Sequence, residues 1–127
     1  MTDSLVLPVW QSKDPARLPF LLAEEAIFSS PVADYRGRDR AAHLLGTIAT
    51  VLDSVHPTQQ WTDGPQSVFA FTARFADQEL QGLLREELSE TGSLTHVTLF
   101  LRPYRALRAA IAEMAQRLED SPPPQAV

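Results

Sequence analysis

The chain has 127 residues, a formal net charge of −5 and no cysteine. This length suits one domain with a single hydrophobic core, and 44% apolar with 21% charged residues is the mix of a globular protein. The 11 Lys and Arg residues form no dense basic cluster, which argues against a nucleic-acid-binding face. The absence of cysteine excludes disulfides, thiolate zinc sites and thiol nucleophiles.

The early residues do not combine a basic start with a long apolar core. We therefore expect neither a signal peptide nor a membrane span, and a cytoplasmic location. Residues 1–120 are predicted to form one domain. Residues 121–127 are rich in proline and have little to bury, so they are predicted to form a flexible tail.

The N-terminal part of the chain predicts short helices followed by one short strand. Residues 5–11 favour a helix, although Pro8 interrupts the pattern. Asp14 followed by Pro15 is typical of a helix start, with a capping carboxylate and a proline at the first helical position. Residues 26–30 are predicted to form a strand that ends at a proline.

A loop that carries Tyr35 and Gly37 is predicted to lead to Asp39, the expected N-cap of a longer helix. In residues 40–55 the apolar side chains recur at helical spacing, with polar side chains on the opposite side. This pattern predicts an amphipathic helix.

The second half of the chain changes to the period of strands. Residues 68–76, 80–88 and 94–102 are predicted strands, separated by turns rich in Gly, Asp and Glu. Residues 104–118 are predicted to form a closing helix, whose apolar stripe is Leu107, Ile111, Met114 and Leu118. Helices, then antiparallel strands, then a helix is the order of an α+β fold.

Five segments in this order resemble one known family. They are the helix start at Trp10, Asp14 and Pro15, residues 22–28, Ser30-Pro31-Val32, Gly37-Arg38-Asp39 and Leu101-Arg102-Pro103. Over residues 5–118 the chain resembles the nuclear transport factor 2-like superfamily, and within it the SnoaL-like branch. The resemblance implies a cone, in which a curved antiparallel sheet wraps helices around a pocket, and often a homodimer through the outer sheet face.

Some members of that superfamily are enzymes that work without a cofactor, so their catalytic positions can be compared with this chain. At the three positions that ketosteroid isomerases use, this chain has Val6, Ser30 and Leu84. None of these can act as a general base, and neither valine nor leucine can donate to an oxyanion. Leu99 stands where limonene epoxide hydrolase would have an inward aspartate. The resemblance therefore does not imply either activity.

Strand alternation and the resemblance together predict which side chains face the inside of the cone. We predict a ligand pocket lined by Phe28, Ser30, Tyr35, Trp61, Phe69, Phe71, Phe75, Leu84, Glu86, Val97, Leu99 and Leu101. Ala73 and Leu88 should also face inward, and Tyr35 and Trp61 could gate the pocket or simply pack with their polar ends in water. The alternative is that the inward residues form only a solid core.

Glu86 is the one weak catalytic candidate. A carboxylate that is buried between Leu84 and Leu88 would have a raised pKa and could act as a base near neutral pH. The alternative, which we favour from sequence alone, is a fraying or one-residue shift of the strand that leaves Glu86 wet at the rim.

No metal site and no cofactor are predicted. His43 falls on the polar face of a helix, His56 precedes a proline in a turn, and His96 points outward from its strand, so the three do not converge. The chain also lacks a glycine-rich phosphate loop.

The outer face of the sheet is predicted to be unusually apolar for a solvent-facing surface. It carries Val68, Ala70, Thr72, Leu83, His96, Thr98 and Phe100, with Arg74, Arg85, Glu87 and Arg102 among them. An identical subunit would cover the apolar part and let the charges pair across a two-fold axis, so we expect a homodimer.

Three functional hypotheses remain at this point. The first is a SnoaL-like protein that binds a small hydrophobic molecule in an apolar pocket. The second is a cofactor-independent isomerase, cyclase, dehydratase or hydrolase of a polyketide-like or steroid-like substrate, with Glu86 as acid or base and Tyr35 or Ser30 as partner. The third is an assembly module with a filled core.

Overall fold

The structure is a computed structural model in which residues 3–124 are described. In these residues the α-helices are α1 (Leu7–Ser12), α2 (Leu18–Leu21), α3 (Arg38–Val51) and α4 (Tyr104–Asp120), with a 3-10 helix at Pro15–Arg17. The strands are β1 (Leu22–Ser29), β2 (Asp34–Arg36), β3 (Asp53–Asp63), β4 (Gln66–Phe75), β5 (Gln78–Leu88) and β6 (Leu94–Arg102).

The six strands form one curved, mixed sheet in the order β2-β1-β6-β5-β4-β3. All neighbouring pairs are antiparallel except β1 and β6, which run parallel, so the expectation of a purely antiparallel sheet was wrong at this one pair. Register shifts interrupt the β3–β4 pairing on either side of His56 and Pro57, and such bulges bend a strand. The predicted α+β class is confirmed.

The predicted inner face of the sheet is confirmed by burial. Phe69, Phe71 and Ala73 of β4 are buried, whereas Val68, Ala70 and Thr72, which alternate with them, are half-buried. The same alternation buries Leu84, Glu86, Val97 and Leu99 on β5 and β6, while Phe75, Leu88 and Leu101 are half-buried. At Gly82 the ring of Phe71 occupies the space that a side chain would need.

Three helix starts differ from the predictions. Pro8 lies in the first turn of α1, where its missing N–H costs no hydrogen bond, so it begins this helix rather than interrupting it. A helical turn does follow Asp14 and Pro15, but the Asp14 side chain makes no capping hydrogen bond. Gly37, not Asp39, is the N-cap of α3, and Asp39 lies in its first turn.

Two strands, β2 and β3, were not predicted. The expected loop around Tyr35 contains β2, which pairs with the end of β1, and β1 itself begins four residues earlier than predicted. The helix expected over residues 40–55 ends at Val51, and β3 begins two residues later. His56 therefore lies in β3, opposite Thr72, and not in a turn.

The C-terminal half agrees with the predictions. The strands β4, β5 and β6 occupy the expected segments, and α4 starts directly after Pro103, its N-cap. Residues 121–124 of the predicted tail contain no helix or strand, and residues 125–127 lie outside the described part of the chain. Among residues 3–124, no helix combines the length and the apolar composition that crossing a bilayer requires.

The helices cover different parts of the inner sheet face. α1 packs against β3 and α3. Its Trp10 meets the Phe71 ring edge-on, at a centroid distance of 5.8 Å and an angle of 63°, and donates from Nε1 to the Leu45 carbonyl over 3.0 Å. α4 packs against α3, β5 and β6. The β3–β4 side of the inner face is thus filled by α1.

Candidate functional site

A cavity of about 270 Å³ lies between helices α3 and α4 and the β1–β6 part of the inner sheet face. The sheet contributes Phe28, Leu99 and Leu101, and β2 contributes Tyr35. The turn between β1 and β2 contributes Ser30, Pro31 and Val32. Val32 is largely exposed, which places this turn at the mouth of the cavity.

The two helices supply the rest of the lining. α3 and the residue after it contribute Leu44, Ile48, Val51 and Leu52, and α4 contributes Leu107, Ala110, Ile111, Met114, Ala115 and Leu118. The buried side chains of α4 are the small Ala106 and Ala110. Its predicted apolar stripe is only half-buried and faces the cavity. Met114 and Leu118 of this stripe also pack against the edge of the core.

Five of the twelve predicted pocket residues lie in this lining, namely Phe28, Ser30, Tyr35, Leu99 and Leu101. Phe69, Phe71, Leu84 and Val97 are instead packed in the core, and Phe75 is half-buried at its edge. Trp61 lies on the outer face, because it is paired with the outward Val68. The strand pattern identifies the inner face, but not which part of that face a helix fills.

The helix residues of the lining were not among the predicted site residues. Their signal was present in the sequence, since Leu107, Ile111, Met114 and Leu118 form the stripe that predicts the helix. An apolar stripe looks the same whether it faces a packed core or a cavity. Only the position of α4 against the sheet distinguishes the two cases.

Glu86 is buried, with 3% of its surface exposed, so the expectation of a wet rim position was wrong. The register of β5 is unbroken at Glu86, which pairs with Ser67 and Val97. The carboxylate accepts hydrogen bonds from the Ser4 hydroxyl, from Leu5 N over 2.8 Å and from Val6 N over 3.3 Å. Glu86 therefore ties down the residues before α1 and is not part of the cavity lining.

Two effects act on the pKa of Glu86 in opposite directions. Burial raises this pKa, because the charged form loses its hydration, while the hydrogen bonds from Ser4, Leu5 and Val6 lower it. Burial is the larger effect, so the pKa lies above the ordinary glutamate value.

Tyr35 is held between an aromatic ring and a cation. Its ring stacks on Phe28 at a centroid distance of 6.3 Å and an angle of 22°, and the Arg40 guanidinium lies 5.6 Å from its centre. The Nε of Arg40 is buried and has no hydrogen-bond partner among the described residues. These two contacts, which the sequence did not predict, hold the Tyr35 ring in place at the cavity.

The three histidines lie apart, each with its own surroundings. His43 contacts the Ser121 carbonyl through Nε2 over 2.7 Å, and His96 shares a 2.8 Å hydrogen bond with the Ser29 hydroxyl. His56 is exposed on β3. Within residues 3–124, no three His, Asp or Glu side chains form a group that could hold a metal ion.

The outer sheet face carries a second hollow of about 460 Å³, formed by residues of β3, β4, β5 and β6. Leu83 and Phe100 border it, with 41% and 56% of their surfaces exposed, and Arg102 lies at its edge. Trp61, 51% exposed, lies on the same face. The outer face is therefore as apolar as predicted.

Comparisons with known proteins show several similar folds. No family model matches the sequence, and no curated protein matches it either. A steroid delta-isomerase from Pseudomonas aeruginosa is 30% identical, with a TM-score of 0.84 over 89% of this chain and 85% of that one. An uncharacterised protein with a cystatin-like fold from Silicibacter pomeroyi is 22% identical, with a TM-score of 0.84 over 92% of this chain and 87% of its own.

A further solved structure gives the fold a family name. An NTF2-like protein of unknown function from Mesorhizobium loti is 23% identical, with a TM-score of 0.69 over 76% of this chain and 84% of that one. The first of the three similarities is close enough in sequence to show kinship as well as fold. The chain belongs to the nuclear transport factor 2-like superfamily.

Proposed function

We propose that this protein binds a small hydrophobic molecule in the cavity between α3, α4 and the β1–β6 part of the sheet. The observation that carries this proposal is the lining, which contains no charged side chain. A concave, mostly apolar space with few polar groups is the usual form of a small-molecule site. Transfer of an apolar ligand from water to such a site is favourable by about 25 cal/mol for each Å² removed from water.

We place the chain in the SnoaL-like branch of the superfamily as part of the same proposal. The support is the set of sequence segments from Trp10 to Pro103.

A cavity-filling variant tests the binding function. Ala110→Phe places a ring in the cavity from α4, whereas Ala112→Phe places the same ring on the exposed side of that helix. A thermal-shift screen of apolar compounds should find binders that raise the Tm of the wild type and of Ala112→Phe, because ligands that bind only the native state stabilise it. Ala110→Phe should lose these shifts while its circular dichroism stays native.

The screen has two contrary outcomes. If no apolar compound raises the Tm of the wild type, the protein has no such site and the assembly hypothesis takes its place. If the shifts survive in Ala110→Phe, the compounds bind elsewhere on the molecule.

A second candidate function is isomerisation of a steroid-like substrate, favoured by the 30% identity to a steroid delta-isomerase. Such a reaction needs a titrating group at the substrate. Glu86 is the candidate, but its oxygens are bonded to Ser4, Leu5 and Val6, outside the cavity lining. If the wild type converts an unsaturated steroid ketone and Glu86→Gln does not, the enzyme hypothesis replaces the binding hypothesis. If neither protein converts the steroid, the binding hypothesis stands.

We also propose that two copies pair through the outer sheet face. Leu83 and Phe100 are neighbours at the middle of this face, with Arg102 toward one end of the strands and Glu87 toward the other. A two-fold axis across the strands would place Arg102 of one copy against Glu87 of the second, and the exposed apolar side chains between them.

A further inference from the structure

The volume of the cavity limits the size of its occupant. An apolar protein cavity of about 150 Å³ is large enough to hold benzene. The cavity here has about 270 Å³, just under twice that volume. One six-membered ring would therefore leave empty space, two fused rings would fill the cavity, and four fused rings would exceed it.

The sheet and α3 leave little room for the cavity to grow on their side. Leu44, Ile48, Phe28 and Leu99 are buried side chains of the core, so moving them would cost packing elsewhere. The cavity opens past Val32 at its mouth, where the protein surface begins. Any rings that extend past Val32 remain in water and add nothing to the apolar contact.

The lining also limits the charge of the occupant. It contains no Asp, Glu, Lys, Arg or His side chain. An ion in this cavity would lose its hydration, and no lining side chain carries an opposite charge to replace it, which is unfavourable. The occupant is therefore neutral.

The lining has one free polar side-chain group. The oxygen-bearing side chains in it are Ser30 and Tyr35. The Ser30 hydroxyl is used by its own turn, since it accepts from Val32 N and Ala33 N and donates to the Ala33 carbonyl, each over 3.1 Å. The Tyr35 hydroxyl makes no hydrogen bond within residues 3–124 and is not a buried unpaired group, so it is accessible to one polar group of a ligand.

From these limits we infer that the ligand is a neutral compound of two fused rings, or one substituted ring, with a single hydroxyl or carbonyl group that bonds to Tyr35. This inference rests on the proposed binding function and narrows it. It separates this protein from a carrier of four-ring steroids and from a carrier of carboxylates.

Titration calorimetry on the full chain tests the inference with five probes: toluene, naphthalene, 2-naphthol, 2-naphthoate and a steroid ketone. Naphthalene should bind about tenfold more tightly than toluene, because it buries more apolar surface. 2-Naphthol should bind most tightly. The ionised naphthoate and the steroid should each bind at least about 100-fold more weakly than 2-naphthol.

The outcomes separate the inference from the function on which it rests. A steroid that binds as tightly as 2-naphthol overturns the size limit, and a tightly bound naphthoate overturns the neutrality, while the binding function stands in both cases. If none of the five probes binds and the thermal-shift screen is also empty, the binding function itself fails.

Two variants test the named contacts. Tyr35→Phe should remove the preference for 2-naphthol over naphthalene, whereas Tyr104→Phe, at an exposed tyrosine, should keep it. Met114→Ala enlarges the cavity from α4 and should raise the affinity for the three-ring phenanthrene relative to naphthalene. Gln116→Ala, on the exposed side of the same helix, should not. Unchanged preferences in Tyr35→Phe and Met114→Ala would contradict the inference.

Discussion

Glu86 is a buried carboxylate whose oxygens accept hydrogen bonds from the residues that precede α1. The sequence places a carboxylate on an apolar face, which is a candidate base when it faces a substrate. In the structure, this carboxylate accepts two backbone N–H groups and one hydroxyl from the residues that lead into α1. Removing such an acceptor leaves buried donors unpaired, which costs about 1–3 kcal/mol. Glu86 thus has a structural role that no alternation pattern reveals.

The raised pKa of Glu86 predicts a specific pH dependence of stability. In the unfolded chain the carboxyl group ionises near pH 4.5, whereas in the fold it holds its proton to a higher pH. Its contribution to the free energy of unfolding is therefore fully present below about pH 4.5 and is lost as the pH rises through the folded-state pKa. Each unit of pKa difference corresponds to about 1.4 kcal/mol.

The amide side chain in Glu86→Gln cannot ionise, so this variant should not lose stability through this group as the pH rises. Urea unfolding of wild type and variant between pH 4 and 8 measures it: the free energy of unfolding of the wild type should fall relative to the variant as the pH rises. Glu90→Gln, at an exposed carboxylate in the turn after β5, is the matched control. Parallel pH profiles for wild type and Glu86→Gln would show that burial does not disfavour the charge.

Helix α4 is the element that keeps the cavity closed on one side. Its middle packs through small alanines, and its C-terminal end is fastened to α3 by polar contacts. His43 meets the Ser121 carbonyl over 2.7 Å, and Arg117 donates to the Thr50 hydroxyl over 3.1 Å. These two contacts join the last turns of α4 to α3, beside the packing of Met114 and Leu118 against the core.

His43→Ala should loosen this end of α4 without unfolding the protein. The lost hydrogen bond is worth about 0.5–1.5 kcal/mol, which corresponds to roughly two- to tenfold faster amide exchange in the last turns of the helix. Hydrogen–deuterium exchange measures this, with Arg108→Ala on the exposed face of α4 as control. Equal exchange in wild type and His43→Ala would mean that the helix is held by other contacts.

Periodic elements were predictable from the sequence, and the irregular ones were not. β4, β5, β6 and α4 have strict alternation or helical spacing, and their predictions are confirmed. β3 has a mostly exposed, polar sequence with Pro57 inside it, so its residues resemble a loop. β2 has three residues, too few for a period.

The site was predictable only in part, for a different physical reason. Phe28 and Leu99 line the cavity while Phe69 and Phe71 do not, although all four are buried on the same apolar face. The difference is made by α1, whose Trp10 covers Phe71. This docking joins residues far apart in sequence, and no local pattern reports it.

At the scale of the whole molecule, the outer sheet face predicts a dimer. Light scattering coupled to size exclusion should give twice the 14.1 kDa mass of one chain. Phe100→Glu should shift the protein to a monomer, because a charge would be buried at the apolar centre of the interface. Phe20→Glu, at an exposed phenylalanine away from this face, should leave the dimer intact. A wild-type mass of 14.1 kDa at every concentration would contradict the proposal.

An apolar ligand should enter the space between the helices and the sheet, rather than the hollow on the outer face. Intermolecular nuclear Overhauser effects between 2-naphthol and the methyl groups of the protein distinguish the two places. Contacts to Ile48, Leu99 and Ile111 of the cavity lining are expected. Contacts to Leu83 on the outer face instead would contradict it.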